Sequence, residues 1–256
     1  MPVLRLALHF IRRDLRNRYL GSFSGGLWAL LQPLAQLAVY SFVFVYVFKA
    51  KAPGSDAPGY VPFLALALWP WNAFAEGLSR ATTTIQDNAA LIQKVAMPRA
   101  VLVFAAVAAS FLVQGIGFLA IIVALFAFGV PIVPLGIPLV ALMYVQLFAL
   151  ALGFAFIFAA VQVFVRDLSA ALPQLLMIWM FASPVFYARE SLPEAYRGWM
   201  ALNPFTHYPE FIRGVLLHTP APTLAGDAIA LASSLAVLAV GWVVFRRLDP
   251  HFENFL

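Results

Sequence analysis

Five stretches of the chain carry no Asp, Glu, Lys, Arg or His: residues 19–48, 57–75, 100–165, 168–188 and 228–245. They are apolar throughout rather than alternating, so the pattern of ~10-residue barrel strands is absent. Backbone hydrogen bonds in such runs have to close within each segment, which means helices. Each crossing of the hydrocarbon core needs ~20 apolar residues. The third stretch is too long for one crossing, and Gly129, Pro131, Pro134 and Gly136 interrupt it near its middle. The pattern predicts an all-α membrane protein forming one domain over 1–256. Its six transmembrane helices are expected at 27–48, 59–79, 99–128, 135–161, 171–187 and 224–246. The first run, Tyr19 to Phe48, is far longer than the ~7–15 residues of a signal-peptide core and reads as a retained span.

The segments between these runs have patterns of their own. Over residues 2–18, Leu4, Leu8, Ile11 and Leu15 recur at helical spacing, with Arg5, Arg12 and Arg16 off that stripe. This predicts an amphipathic helix in the membrane interface, or a plain basic anchor. Over 81–97, Ile85, Ala89, Ile92 and Val95 form an apolar stripe, with Gln86, Asp87, Gln93 and Lys94 elsewhere and Pro98 as a stop. Such a helix suits either a groove on a soluble partner or the lipid headgroups. Residues 189–217 form two short pieces separated by Asn203-Pro204, with Ser191 and Glu194 spaced like a capping box. Neither piece is long enough to span, so both read as external re-entrant or interfacial helices.

Charge sets the orientation. Eleven of the sixteen basic residues fall on one side of the six-helix plan, led by Arg5, Arg12, Arg13, Arg16 and Arg18. That side is expected to be cytoplasmic, with both termini on it. The chain is 63% hydrophobic and 11% charged, with a net charge of +5, and its mean hydropathy is +0.90. A soluble domain is ~45–50% apolar and ~25% charged, so this is not one. The basic residues lie beside apolar runs, as topology signals do, and no nucleic-acid partner is expected.

Several chemistries are missing from the sequence. There is no cysteine, no G-x-x-x-x-G-K-[ST] phosphate loop and no H-E-x-x-H. Gly21 to Gly25 does not form a nucleophile elbow, because Phe23 stands in the middle. His9, His207, His218 and His251 are scattered, so no metal site is expected. No acidic pair lies inside a span, which argues against an ion-coupled carrier. The spans offer neutral groups instead: Gln32, Gln36, Tyr40, Ser41, Gln114, Gln146, Gln174 and Ser183. Amides and hydroxyls exchange hydrogen bonds with a polyhydroxyl substrate. Tyr40, Phe42, Phe44, Tyr46 and Phe48 alternate, so they cannot share one helical face.

Three groups of residues together resemble one family, the permease subunit of ATP-binding-cassette exporters of lipid-linked polysaccharides such as O-antigen, capsule and teichoic acid. The first is Arg13-Asp14-Leu15-Arg16-Asn17-Arg18-Tyr19 followed by Gly26-Leu27-Trp28-Ala29-Leu30-Leu31-Gln32-Pro33. The second is Val165-Arg166-Asp167-Leu168 with Pro173, then Ser183-Pro184-Val185-Phe186-Tyr187. The third is Leu202-Asn203-Pro204-Phe205 with Glu210 and Arg213 downstream. Ser24-Gly25 departs from the Leu-Gly that members commonly carry before the Leu-Trp pair.

The resemblance implies a permease without enzymatic activity, in a bacterial inner membrane, working as a homodimer. It implies two copies of a separate ATPase subunit that hold the ATP and Mg, no cofactor in this chain, and a lipid-linked polysaccharide substrate. A periplasmic export partner is a further candidate. It also implies that 81–97 is a coupling helix, with Ile85, Asp87, Ala89, Ile92 and Val95 facing the ATPase. Gln32, Gln36, Tyr40 and Gln174 are the candidate polar lining of the route, with Arg18 and Trp28 at its cytoplasmic mouth. A drug or small-lipid exporter, an integral-membrane enzyme and an assembly scaffold are the alternatives.

Overall fold

The computed structural model describes residues 2–19, 25–50, 59–95, 97–217 and 223–255. Among them every regular element is helical. In chain order these are α1 (Pro2–Tyr19), α2 (Gly25–Ser41) with a π-helical extension (Phe42–Val47), α3 (Tyr60–Asp87), α4 (Ala89–Ile92), α5 (Ala100–Ala127) and α6 (Ile137–Phe164). Then follow α7 (Leu168–Phe181), α8 (Glu194–Leu202), α9 (His207–Leu217) and α10 (Leu224–Leu248). Three helices are long and apolar enough to cross a membrane: Ala100–Ala127, Pro134–Phe164 and Leu224–Glu253. Leu31–Val47 and Leu168–Phe181 are shorter apolar helices.

Helix α3 is the centre of the bundle. Leu64 to Leu68, Trp69 and Phe74 are fully or almost fully buried. It packs against α2, α5, α6, α7 and α9. Helices α6 and α10 approach more closely than side chains normally allow. A Cβ on Gly153 would stand 2.7 Å from the backbone of Val237 and Leu238, and one on Gly241 would overlap the Gly153 carbonyl. Small residues at a helix crossing permit this approach. Helix α5 ends where Gly129 takes φ +81°, a left-handed conformation that glycine adopts freely.

Polar contacts tie the helix ends together at one end of the bundle. Arg80 Nη2 donates to Asp14 Oδ1 at 2.8 Å, and Arg13 to the Asn88 side chain, docking α1 on α3. Arg99 Nη1 donates to Asp249 Oδ1 at 3.0 Å, joining the start of α5 to the end of α10. Gln162 joins the end of α6 to Gln86 of α3. At the opposite end, Tyr60 reaches Phe186 and His207 meets Asp227.

Three expected boundaries move. Helix α3 continues to Asp87, seven residues into the segment 81–97, which is therefore not one separate helix. Asn88 breaks it at φ −111°, ψ 17°, with its amide on the Thr84 carbonyl at 2.8 Å, and only the single turn α4 follows. Helix α7 stops at Phe181, short of the expected 187, because Pro184 has no N–H to continue the ladder and disfavours helical backbone at Ser183. Ser191 and Glu194 form no capping box. Pro193 takes the N-cap at φ −54° and no side chain caps α8.

The alternating aromatics of the first apolar run separate onto different faces. Tyr40 and Phe44 pack on Phe186 at ring distances of 5.0 and 5.1 Å. Phe42 and Tyr46 pair with each other and stay exposed.

Candidate functional site

Two polar stripes meet inside the bundle. On α2, Gln32, Gln36 and Tyr40 follow at intervals of four, one helical face. On α3, Asn72, Glu76, Ser79 and Arg80 repeat at the same kind of spacing. Both stripes line one half-open cavity of about 740 Å³, walled also by Gln114 of α5 and by Pro173, Leu176 and Met180 of α7. Asn72 Nδ2 donates to Gln36 Oε1 at 3.2 Å, and Gln36 Nε2 to Tyr40 Oη at 3.4 Å. Gln114 Nε2 donates to Glu76 Oε2 at 2.7 Å. The lining therefore presents amides, hydroxyls and one carboxylate amid apolar helices, a surface suited to exchanging hydrogen bonds with hydroxyl groups.

The sequence-derived candidates divide. Gln32, Gln36, Tyr40 and Trp28 all line this cavity, with Trp28 61% exposed. Gln174 does not line it. It follows Pro173 by one residue, ~100° around α7, and is exposed on another face. Arg18 ends α1 beside Tyr19, but its side chain lies outside the described residues. Gln114, one of the neutral span groups noted in the sequence, also lines it, and Asn72 and Glu76 are lining residues that sequence reasoning left aside. The available signal was the Asn72–Glu76–Arg80 spacing.

The coupling candidates also divide. Ile85 is 0% exposed and belongs to the core, so it offers no surface to a partner. Asp87 is exposed and accepts from Thr83 Oγ1 at 2.8 Å. Ala89 and Ile92 are half-buried, and Val95 is 49% exposed. The accessible part of this segment is thus Asp87 to Val95. Next to it, Gln162 is 2% exposed and donates to Gln86 Oε1 at 3.1 Å and to the Arg166 carbonyl at 3.0 Å. Its own Oε1 accepts from Ser169 N at 2.8 Å. This amide ties the turn at Arg166-Asp167 to the end of α3.

A second polar construction lies at the opposite end. Where α7 stops, its last carbonyls and those of the following irregular segment lose their helical donors. Side chains replace them. Tyr187 Oη donates to the Phe181 carbonyl at 2.8 Å and Asn203 Nδ2 to Ala182 at 3.0 Å. Arg213 Nη1 and Nη2 donate to Pro184 and Val185 at 2.7 Å each. Tyr60 Oη donates to Phe186 at 2.7 Å. Arg213 also donates through Nε to Phe63 at 2.8 Å, lies 3.4 Å over the Phe63 ring and is only 3% exposed. Asn203 Oδ1 accepts from Trp179 Nε1 at 2.8 Å and Phe205 N at 3.0 Å. The residues Ser183 to Tyr187, Asn203 and Arg213 are therefore one structure. Burial lowers the Arg213 guanidinium to about 9, which leaves it charged at neutral pH. Burial also pushes the Glu210 carboxyl up to about 7, against the pull of Arg189 and Arg213. His207 is held below its ordinary range by burial, with Asp227 Oδ1 at 2.7 Å opposing the shift.

The family model described as ABC-2 type transporter matches residues 6–217, from α1 through α9. The chain is 28% identical over 253 residues to the O-antigen export system permease protein RfbA of Klebsiella pneumoniae, covering 95% of this chain and 92% of the relative. It is 30% identical over 259 residues to the protein of the same name in Myxococcus xanthus, covering 98% and 94%. It is 25% identical over 243 residues to the polysialic acid transport protein KpsM of Escherichia coli, covering 93% and 91%.

Proposed function

Because the chain belongs to the ABC-2 type transporter family, we propose that it is the membrane permease of an ATP-driven exporter of lipid-linked polysaccharide. The observation that carries this reading is the meeting of the α2 and α3 polar stripes across one large cavity within an apolar bundle. Sugar hydroxyls exchange hydrogen bonds with such amides. Trp28 and Tyr40 add ring faces on which sugar C–H groups pack.

In this reading the spans are α2 with its π extension, α3, α5, α6, α7 and α10. The arginine-rich end faces the bacterial cytoplasm with both termini, and α1 lies in the interface. Helix α7 is short for a ~30 Å core. The clamped segment after it completes the crossing, since irregular backbone is tolerated at depth where protein satisfies it. Two copies of the chain enclose the route, and two copies of a separate ATPase hold ATP and Mg. The ATPase pushes on Asp87, Ala89, Ile92 and Val95. Its effect rests on a difference in affinity between two states of the permease.

The test is deletion of the chain followed by complementation. Loss of surface glycan with lipid-linked glycan accumulating inside, reversed by the wild-type chain, supports the reading. Normal surface glycan in the deletion strain, or ATP hydrolysis by the purified chain alone, defeats it.

A further inference from the structure

A separate half-open cavity, of about 170 Å³, lies at the end of the bundle opposite the arginine-rich one, between the Asn203-Pro204 turn and the first turns of α10. His207 holds its two walls together: its Nε2 lies 2.7 Å from Asp227 Oδ1, and a Cβ on Gly226 would stand 3.3 Å from the imidazole. Thr206 and Glu210, one helical turn apart, both line the cavity. Thr206 is only 5% exposed and its Oγ1 has no hydrogen-bond partner. Glu210 Oε1 is likewise buried and unpartnered. Buried polar atoms are almost always paired, so two orphans on one cavity call for an occupant. Arg189 lines the same cavity, and among the described residues its bond is from Nη2 to the Arg197 carbonyl at 3.3 Å, which leaves the rest of the guanidinium for another acceptor. Leu202 and Ile229, also in the lining, are well exposed and give the opening an apolar rim.

We propose that this cavity holds the headgroup of an ethanolamine phospholipid of the outer leaflet, with its ammonium on Glu210 and Thr206 and its phosphate on Arg189. The inference goes beyond the export reading and takes from it only the membrane orientation. Around the opening Glu210, Glu190 and Asp227 stand against Arg189, while Arg213 is committed to backbone carbonyls. That balance favours a cation, and the remaining guanidinium suits an anion attached to it. A primary ammonium has N–H donors for both orphan oxygens, and its bond to a carboxylate is charge-assisted. A nearby ammonium also opposes the burial that raises the Glu210 carboxyl. A choline headgroup carries the same charge without an N–H, and an anionic headgroup brings like charge to Glu210. The volume exceeds the ~30 Å³ share of one water, so a single bridging water does not fill it. The acyl chains leave past Leu202 and Ile229.

The experiment uses the full chain in detergent micelles, titrated with phosphatidylethanolamine and phosphatidylcholine of identical acyl chains. The quantity read is the ratio of their dissociation constants. In the wild type the ethanolamine lipid is expected to bind ~10-fold more tightly. Glu210→Gln and Thr206→Val each remove a partner of the ammonium and are expected to bring the ratio toward one. Arg189→Gln removes the phosphate contact shared by both lipids and is expected to weaken them alike. Equal affinity of the wild type for the two lipids overturns the inference without reference to any variant. So does a ratio unmoved by both Glu210→Gln and Thr206→Val. Competition by soluble phosphoethanolamine at the affinity of the lipid overturns the lipid as the occupant. None of these results bears on glycan export, which the deletion strain tests by itself.

Discussion

Arg213 and Pro184 lie 29 positions apart, yet Arg213 Nη1 sits 2.7 Å from the Pro184 carbonyl. Proline cannot continue a helix, so the chain leaves α7 with carbonyls exposed, and a buried guanidinium supplies donors to two of them and to Phe63. Five N–H groups in a fixed fork suit this task, whereas a lysine ammonium is a point donor on a flexible stem. Arg213→Ala is expected to leave the Pro184 and Val185 carbonyls without their donor, each worth ~1–3 kcal/mol. The melting temperature in detergent should fall clearly, with Arg213→Lys only partly restoring it. A wild-type melting temperature for the alanine variant would show that the clamp contributes nothing.

The crossing of α6 and α10 makes an independent prediction. Gly153 and Gly241 are back to back, and neither has room for a methyl group, because the obstacle is backbone rather than a side chain able to move. Gly241→Ala is expected to separate the helices and cost ~1–3 kcal/mol, the range for overpacking. Gly198→Ala is the control, since nothing lies within 4 Å of its would-be Cβ. Equal thermal stability of these two variants would contradict the close crossing.

How much of this was legible in the sequence depends on the range of the interaction. The helical class followed from uncharged runs, a local property. The α2 stripe was legible too, because Gln32, Gln36 and Tyr40 stand at intervals of four. Its partner on α3 was hidden because Glu76 ends an uncharged run and looks like a boundary, although the helix continues to Asp87. Gln174 lies outside this cavity, one residue from Pro173, since polarity alone does not say which side of α7 the cavity meets. Ile85 begins an apolar stripe of which it alone is buried while Val95 is exposed, and the stripe does not reveal which member the bundle covers. The Ser183–Asn203–Arg213 relation has no period at all. Its residues were visible only through family resemblance, and their shared task is set by tertiary contact.

Glu210 predicts a pH dependence. One of its oxygens is buried without a partner, and burial raises the carboxyl from 4.5 to about 7. A raised acid binds its proton more tightly folded than unfolded. Its contribution is therefore fully present below pH ~4.5 and lost as pH rises through about 7. With allowance for partial solvent access, the size is ~1 kcal/mol. Glu210→Gln should remove this component, so the stability difference between variant and wild type should change across pH 5–8. Parallel pH profiles for the two proteins would count against it. Subtracting the profiles isolates Glu210 from His207, whose lowered value acts in the opposite sense.

The last prediction concerns transmission between helices. Gln162 is nearly buried and links Gln86 at the end of α3 to the Arg166 carbonyl and Ser169 at the start of α7. Asp87 and Asn88 follow Gln86 directly, so this amide is one route by which a push on the accessible segment reaches α7, beside the packing of Trp71 and Phe74 on Trp179. Gln162→Leu keeps the volume and removes the donors and acceptor, at a cost of ~1–3 kcal/mol for the polar groups left behind. With the ATPase bound, hydrolysis should continue while export falls, because α3 and α7 no longer move as one. Gln86→Leu should do the same, and the double variant should be no worse than either single one, the signature of residues acting through a shared contact. Additive losses of export, or a fall in hydrolysis matching the fall in export, would place Gln162 outside the transmission path.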